Sequence, residues 1–330
     1  MNTMSVVQLR NVTKRIGSKT IVDGLSFDVM PGEVFGFLGP NGAGKTTTIR
    51  MIVGLMSLTE GEVLVQGFSI RKQFEEAMRR VGAIVENPEF YKFMTGYQNL
   101  QHFARMIPGI TEERLEEVIE LVKLEHRIHD KVKTYSLGMR QRLGVAQAIL
   151  HRPAVLILDE PTNGLDPEGI RELRDYLRQL SQQEGIAVIV SSHLLSEMEL
   201  MCDRVAIIQN GKLLDVRSFK ETPSGEQLLE VVLDVDRVSA AAQAAIRLVG
   251  DSAVIGQHEG AEAAGGSLSG ADEAAANTEG TLTVQCRSRE EIAELNVQLV
   301  AAGIRVYGIR TRNKSLEDQF LEVTRGNQIV

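Results

Sequence analysis

Hydrophobic and polar positions alternate from residue 6 to about residue 38. Val7-Gln8-Leu9-Arg10 and Leu25-Ser26-Phe27-Asp28-Val29 each place an apolar side chain at every second position, the period of a half-buried strand. Pro31-Gly32 predicts a turn before the apolar run Val34-Phe35-Gly36-Phe37-Leu38. A helix is expected from Thr46 to about Met56, and a strand between Gly61 and Gly67. Residues 71–80 are compatible with a helix, and 81–86 with a strand. Between about 87 and 151 the period becomes helical: Thr111-Glu112-Glu113-Arg114 opens a helix whose apolar face is Leu115, Val118, Ile119 and Val122. Strands then return at 154–159, 186–190 and 204–208, each a continuous apolar run but for Asp159 at the end of the first and Arg204 at the start of the last. Runs without alternation suit parallel strands covered on both faces. Strands alternating with helices predict an α/β parallel core, with the helical block inserted as a subdomain.

The composition shifts at Thr222-Pro223-Ser224-Gly225, which divides the expected domains into 1–222 and 223–330. In the second part, Leu229, Val231, Leu233 and Val235 share one face of a strand. A helix over 239–248 and a short strand at 253–255 follow. Residues 256–280 are rich in Gly, Ala, Ser and Glu and read as a flexible insertion. Leu282, Val284 and Cys286 alternate as a strand, and Ser288-Arg289-Glu290-Glu291 opens a helix carrying Ile292, Leu295 and Leu299. A strand over 304–309 and a last helix from Ser315 complete the reading. The order βαββαβ predicts a ferredoxin-like module.

Bulk properties narrow the function. The 330 residues carry a net charge of −8, which argues against a partner bound through a nucleic-acid backbone. Cys202 and Cys286 lack metal-ligand spacing and read as thiols in a reducing compartment. No signal peptide is apparent, and no apolar stretch is long enough to span a bilayer, so a membrane role would need another chain to supply the span.

The chemistry centres on Gly39-Pro40-Asn41-Gly42-Ala43-Gly44-Lys45-Thr46-Thr47. This is G-x-x-x-x-G-K-[ST] between an expected strand and an expected helix, the context of a phosphate-binding P-loop. Glycines let backbone N–H groups wrap a triphosphate, and the following helix points its positive end at the phosphates. Lys45 would reach the β- and γ-phosphates, and the Thr46 hydroxyl would ligate Mg²⁺. At the end of the 154–159 run, Asp159 is placed to hold Mg²⁺ and Glu160 to accept a proton from an attacking water.

Tyr135-Ser136-Leu137-Gly138-Met139-Arg140-Gln141-Arg142 resembles the signature motif of ATP-binding-cassette (ABC) ATPases, with Ser136 and Gly138 matching and Leu137 and Met139 departing from the consensus. Standing alone, these residues would equally suit an N-capped helix. Asn163-Gly164-Leu165-Asp166 resembles the family's D-loop, and Ser191-Ser192-His193 resembles its switch-histidine segment. The resemblance covers about residues 4–220. It implies an ATPase that works as a head-to-tail dimer, with ATP held between the P-loop of one copy and the Ser136–Gly138 motif of the other. Asp166 would join that site, and His193 would contact the γ-phosphate. The segments 82–91 and 95–100 further resemble exporters of the bacitracin and lantibiotic type. That implies a transmembrane permease as partner, peripheral attachment at the cytoplasmic face of the membrane, and Pro88, Phe90, Tyr91 and Phe93 as candidates for the permease contact.

Two residues depart from the family pattern. Ile16 stands where an aromatic residue would stack on adenine, which predicts weakened base selectivity. Glu86 replaces the usual Q-loop glutamine and keeps an oxygen for the metal. Two other readings stay open: a regulatory or sensory ATPase whose nucleotide state signals, and a soluble cassette acting on ribosomes or DNA.

Overall fold

A computed structural model describes residues 5–219, 229–249, 253–259 and 279–312. The chain divides into two compact units, Met1–Lys220 and Glu221–Val330.

In the first unit, β1 (Val7–Ile16), β2 (Lys19–Val29), β4 (Glu60–Val65) and β5 (Phe68–Ser69) form an antiparallel sheet in the order β2-β1-β4-β5. The second sheet of this unit contains β3 (Val34–Leu38), β6 (Val81–Ile84), β7 (Val155–Leu158), β8 (Ala187–Ser192), β9 (Arg204–Gln209) and β10 (Lys212–Ser218), in the order β10-β9-β3-β8-β7-β6. All its pairs are parallel except the β10 edge. Every residue of β3, β7 and β8 is buried, as the apolar runs require, and Ser191 and Ser192 at the end of β8 are buried with them. One core joins the two sheets, with Phe27 stacked on Phe35 at 5.2 Å between ring centroids and Phe37 at 5.5 Å.

The helices are α1 (Lys45–Ile52), α2 (Phe74–Met78), α3 (Gly96–Ala104), α4 (Glu112–Leu121), α5 (Leu137–Ile149), α6 (Pro167–Glu184) and α7 (Leu195–Met201). Helix α1 stops short of the expected Met56, because the chain enters the left-handed region at Gly54 (φ +74°). Thr111 caps α4 by accepting from the Arg114 N–H, and Leu115, Val118 and Ile119 are buried as the spacing predicts. Arg114 is buried beside them. Its guanidinium donates to Leu150 O (3.1 Å) and Ile149 O (2.6 Å) at the carboxyl end of α5 and pairs with Glu117 (2.8 Å). A cation there complements the negative end of the α5 dipole and adds a donor to its last carbonyls, of which Ile149 O also accepts the Arg152 N–H. Arg114→Ala is expected to cost about 2–3 kcal/mol and to lower the melting temperature by roughly 5–10 °C in thermal unfolding, with a change under 2 °C ruling out this role.

The second unit contains β11 (Leu229–Val235), α8 (Val238–Val249), β12 (Val254–Glu259), β13 (Gly280–Cys286), α9 (Arg289–Ala301) and β14 (Val306–Arg312). Its antiparallel sheet runs β12-β13-β11-β14, the strand order of a split βαβ, ferredoxin-like module. Val231, Leu233, Val235, Leu282, Val284, Cys286, Leu295 and Leu299 form its core. Here the sequence expectation needs correction, because residues 256–259 belong to β12 and not to a flexible insertion. The strand carries little apolar alternation, but its backbone pairs with residues 280–283 of β13 after a register shift between Val254 and Gly256. Ladder hydrogen bonds can hold an edge strand without an apolar face. Residues 260–278 and the helix expected from Ser315 lie outside the described residues. Both cysteines are buried and unpaired; burial raises the Cys202 thiol pKa and brings that of Cys286 to about 11.

Candidate functional site

The parallel sheet brings four chain segments to one edge. Strand β3 pairs with β8 through Leu38–Ser192, β8 with β7 through Val190–Leu158, and β7 with β6 through Leu158–Ile84. The residues that follow these strands therefore leave the sheet side by side at its carboxyl edge, where open α/β sheets bind ligands.

After β3 comes the loop Gly39, Pro40, Asn41, Gly42, Ala43, Gly44, which leads directly into α1. A Cβ at Gly39 would lie 2.4 Å from the Ile208 carbonyl, so only glycine fits. Gly44 has φ +106°, a left-handed value that turns the chain into the helix. No side chain caps the start of α1, which leaves its first N–H groups and dipole end for an anion. Lys45 is 5% exposed, and its ammonium donates to Gly39 O at 2.7 Å and Pro40 O at 3.4 Å. Thr46 and Thr47 are half-buried in the first turn.

The acid pair after β7 is held from three sides. Asp159 is buried, and its Oδ1 accepts from Ser191 Oγ at 2.6 Å. The same hydroxyl accepts from the Glu160 N–H at 2.8 Å. Glu160 has φ +47°, and its carboxylate is ion-paired with Lys45 at 3.2 Å. Its Oε2 accepts from Asn163 Nδ2 and His193 Nδ1, both at 2.9 Å. Burial alone would raise this carboxyl's pKa. The bonds from Asn163, His193 and Lys45 outweigh that and hold it below the ordinary value of 4.5, so Glu160 is ionised at neutral pH.

Asn41, Thr46, Glu86, Asp159, Glu160 and His193 line one cleft of about 390 Å³, together with Asn87 and Asn163. Thr46, Asp159 and Glu86 offer it oxygen donors, the ligand type of a hard cation. Among the described residues, no cluster of three or more His, Cys, Asp or Glu could by itself hold a metal. That donor set fits Mg²⁺ arriving on a phosphate, since Mg²⁺ takes one or two protein oxygens and completes its shell from phosphate and water. Glu86 sits at the end of the β6 segment with φ +69°, and its exposed carboxylate forms an ion pair with Arg50.

Ser136, Gly138 and Asp166 line a different cleft, of about 420 Å³. Ser136 Oγ accepts from Met139 N (3.2 Å) and caps α5, while Asp166 Oδ1 accepts from Gly169 N (2.9 Å) and caps α6. The structure thus brings Lys45, Thr46, Glu86, Asp159, Glu160 and His193 together within one chain and leaves the other three residues outside that group. Ile16 is exposed at the end of β1. Tyr91 and Phe93 are exposed, whereas Phe90 packs edge-on against Phe103 at 6.4 Å and Pro88 lies against Gly144.

Sequence reasoning gave no role to Ser191 or Asn163, although both donate within the acid pair's network. The polar residues that interrupt the apolar context at Ser191-Ser192 were the available signal, since a buried hydroxyl at a strand end needs a partner.

Comparison with known proteins agrees with this geometry. The ABC transporter family model matches residues 22–163. The ABC transporter ATP-binding protein YhcH of Bacillus subtilis (strain 168) is 54% identical over 321 residues, which cover 97% of this chain and 96% of that protein. The bacitracin transport ATP-binding protein BcrA of Bacillus licheniformis is 46% identical over 215 residues, 65% of this chain and 70% of BcrA. Among solved structures, cbiO1 from Clostridium perfringens, part of the ABC transporter complex cbiONQ, superposes with a TM-score of 0.61 at 25% identity, covering 67% of this chain and 91% of that one. The resemblance read from the ordered motifs therefore holds, and the chain belongs to the ABC transporter family as an ATP-binding subunit, an ATPase.

Proposed function

We propose that two copies of this chain close head to tail around ATP and, through a separate transmembrane permease, drive export of a peptide antibiotic or related amphiphile. The observation that carries the two-copy reading is the separation of the site into two clefts. Thr46, Asp159, Glu160 and His193 line one, with Lys45 ion-paired to Glu160, and Ser136, Gly138 and Asp166 open on the other. A head-to-tail pair would bring the second cleft of one copy over the first cleft of its partner. The peptide-antibiotic class rests on the similarity to BcrA, a bacitracin transport protein. Among the described residues no helix is long and apolar enough to cross a membrane, which supports assigning the span to another chain and placing this subunit peripherally on the cytoplasmic face. Tyr91 and Phe93 are the exposed aromatics proposed to meet the permease, with Phe90 packed on Phe103 and Pro88 on Gly144 in the same segment.

In this reading Lys45 binds the β- and γ-phosphate oxygens, and the N–H groups of the loop's second half and the first turn of α1, up to Thr47, wrap the triphosphate. Thr46, Asp159 and Glu86 would hold Mg²⁺, which supplies charge neutralisation between the phosphates when bound. Glu160 takes the proton of the attacking water as general base. His193 orients the γ-phosphate and holds the Glu160 carboxylate in place. Ser136 Oγ, the Gly138 N–H and the α5 dipole of the second copy close over the γ-phosphate. Catalysis is then positioning plus electrostatic stabilisation.

Size-exclusion chromatography of the Glu160→Gln chain, which lacks the proposed base, with ATP tests the pairing. The expected result is a nucleotide-dependent shift to twice the mass, abolished by Ser136→Arg. Ile16 provides a further check. Loss of one aromatic stacking partner, about 1 kcal/mol, should bring kcat/KM for GTP within roughly tenfold of that for ATP. A hundredfold preference for ATP would exclude the weakened selectivity.

A further inference from the structure

We propose that Glu197 is a positioning residue for ATP hydrolysis: it ties the turn after Glu160 to the segment carrying His193 and so keeps both donors on the Glu160 carboxylate. The inference rests on the proposed roles of Glu160 and His193.

Glu197 lies in α7 and is not among the residues that line the phosphate cleft, yet its Oε2 accepts two hydroxyls from segments that lead into the site. Thr162 Oγ1 donates at 2.8 Å and Ser192 Oγ at 2.9 Å. Both hydroxyl residues are nearly inaccessible, at 5% and 2% exposure, so this acceptor replaces the water they have lost. Bonds of this kind to a carboxylate are stronger than neutral ones.

Each hydroxyl sits beside a Glu160 donor. Thr162 immediately precedes Asn163, whose amide reaches Glu160 Oε2. Ser192 immediately precedes His193, whose Nδ1 reaches the same oxygen. Ser192 Oγ also accepts from the Leu194 N–H at 3.0 Å, so the backbone is clamped on both sides of His193. Of the three side chains that donate to Glu160, Lys45 comes from α1 and is independent of this network. The other two hang from segments that meet at Glu197. Without it, the turn at 160–163 and the segment at 192–194 lose their common anchor, while the P-loop contacts with nucleotide stay intact. The loss should therefore appear in turnover and not in nucleotide affinity.

The test uses the full chain in membranes that carry its permease, with MgATP as substrate. Glu197→Ala and Glu197→Leu are expected to lower kcat by about 30-fold or more, the scale of a misplaced catalytic group, with KM for ATP within about twofold of wild type. Glu197→Gln keeps an oxygen that accepts both hydroxyls and should retain at least roughly a third of kcat. In a background lacking both donors, Asn163→Ala with His193→Ala, adding Glu197→Ala should cost less than about threefold, because both coupling partners are gone. Wild-type turnover in Glu197→Ala, a Gln variant as poor as the Ala variant, or a full penalty in the background lacking both donors would each overturn the proposal. The first of these, with His193→Ala itself inactive, leaves the assigned role of His193 standing. Full turnover in His193→Ala would instead remove that role and this inference together.

Discussion

Glu160→Gln is expected to lower ATP turnover by about three orders of magnitude while preserving nucleotide binding. The exchange keeps the shape of the side chain and its capacity to accept from Asn163 and His193, so the local fold should persist. It removes the only property that a general base needs, a carboxylate able to take a proton. The wild-type group is poised to take one, because three donors keep it ionised at neutral pH despite its partial burial. Because these donors lower its pKa, acid should silence it at a lower pH than it would an ordinary glutamate. With hydrolysis blocked, ATP should hold two copies together, and the dimer should be recovered on size exclusion. Turnover within tenfold of wild type would remove Glu160 from the role of base.

Lys45→Ala should act at the preceding step. The side chain is 5% exposed and its ammonium is bound to Gly39 O and to Glu160, which fixes a positive charge beside the loop that would wrap the phosphates. Losing a charge-assisted contact to phosphate costs about 3–4 kcal/mol, so ATP affinity should fall by roughly 10²–10³-fold in a calorimetric titration. Lys45→Arg should not restore it, because a planar fork cannot occupy the compact site beside Gly39 O. The two variants separate the roles: Glu160→Gln binds and does not turn over, whereas Lys45→Ala does not bind. Wild-type affinity in Lys45→Ala would place the phosphates elsewhere.

Local chemistry made much of the fold legible. The unbroken apolar runs at 155–158 and 187–190 had to be strands buried on both faces, and Thr111 and Ser288 had to cap helices whose first-turn N–H groups they accept. The capping expected at Ser288 forms only in part, since Glu291 returns to the Arg287 N–H and not to Ser288 itself. Arg114 was legible as a helix residue but not as the cap of another helix, because its partners lie 35 and 36 positions away. Strand β12 was missed beyond residue 255 for a similar reason: what holds it is the backbone of a neighbouring strand, which leaves no mark on its own side chains.

By itself the sequence determined that a phosphate-binding loop follows a buried strand, that an acid pair ends another, and that the ordered motifs belong to an ABC ATPase. Those are properties of residue type at close spacing, where backbone conformation and local hydrogen bonding dominate. Only the tertiary structure decided that Lys45, Asn163 and His193 all meet on one carboxylate, that Glu197 binds the segments carrying two of them, and that Ser136 and Asp166 open on a separate cleft. The physical reason is that strand order sets these encounters. Parallel pairing of β3, β8 and β7 places three distant stretches of chain at one level, and no local pattern along any one of them records its neighbours.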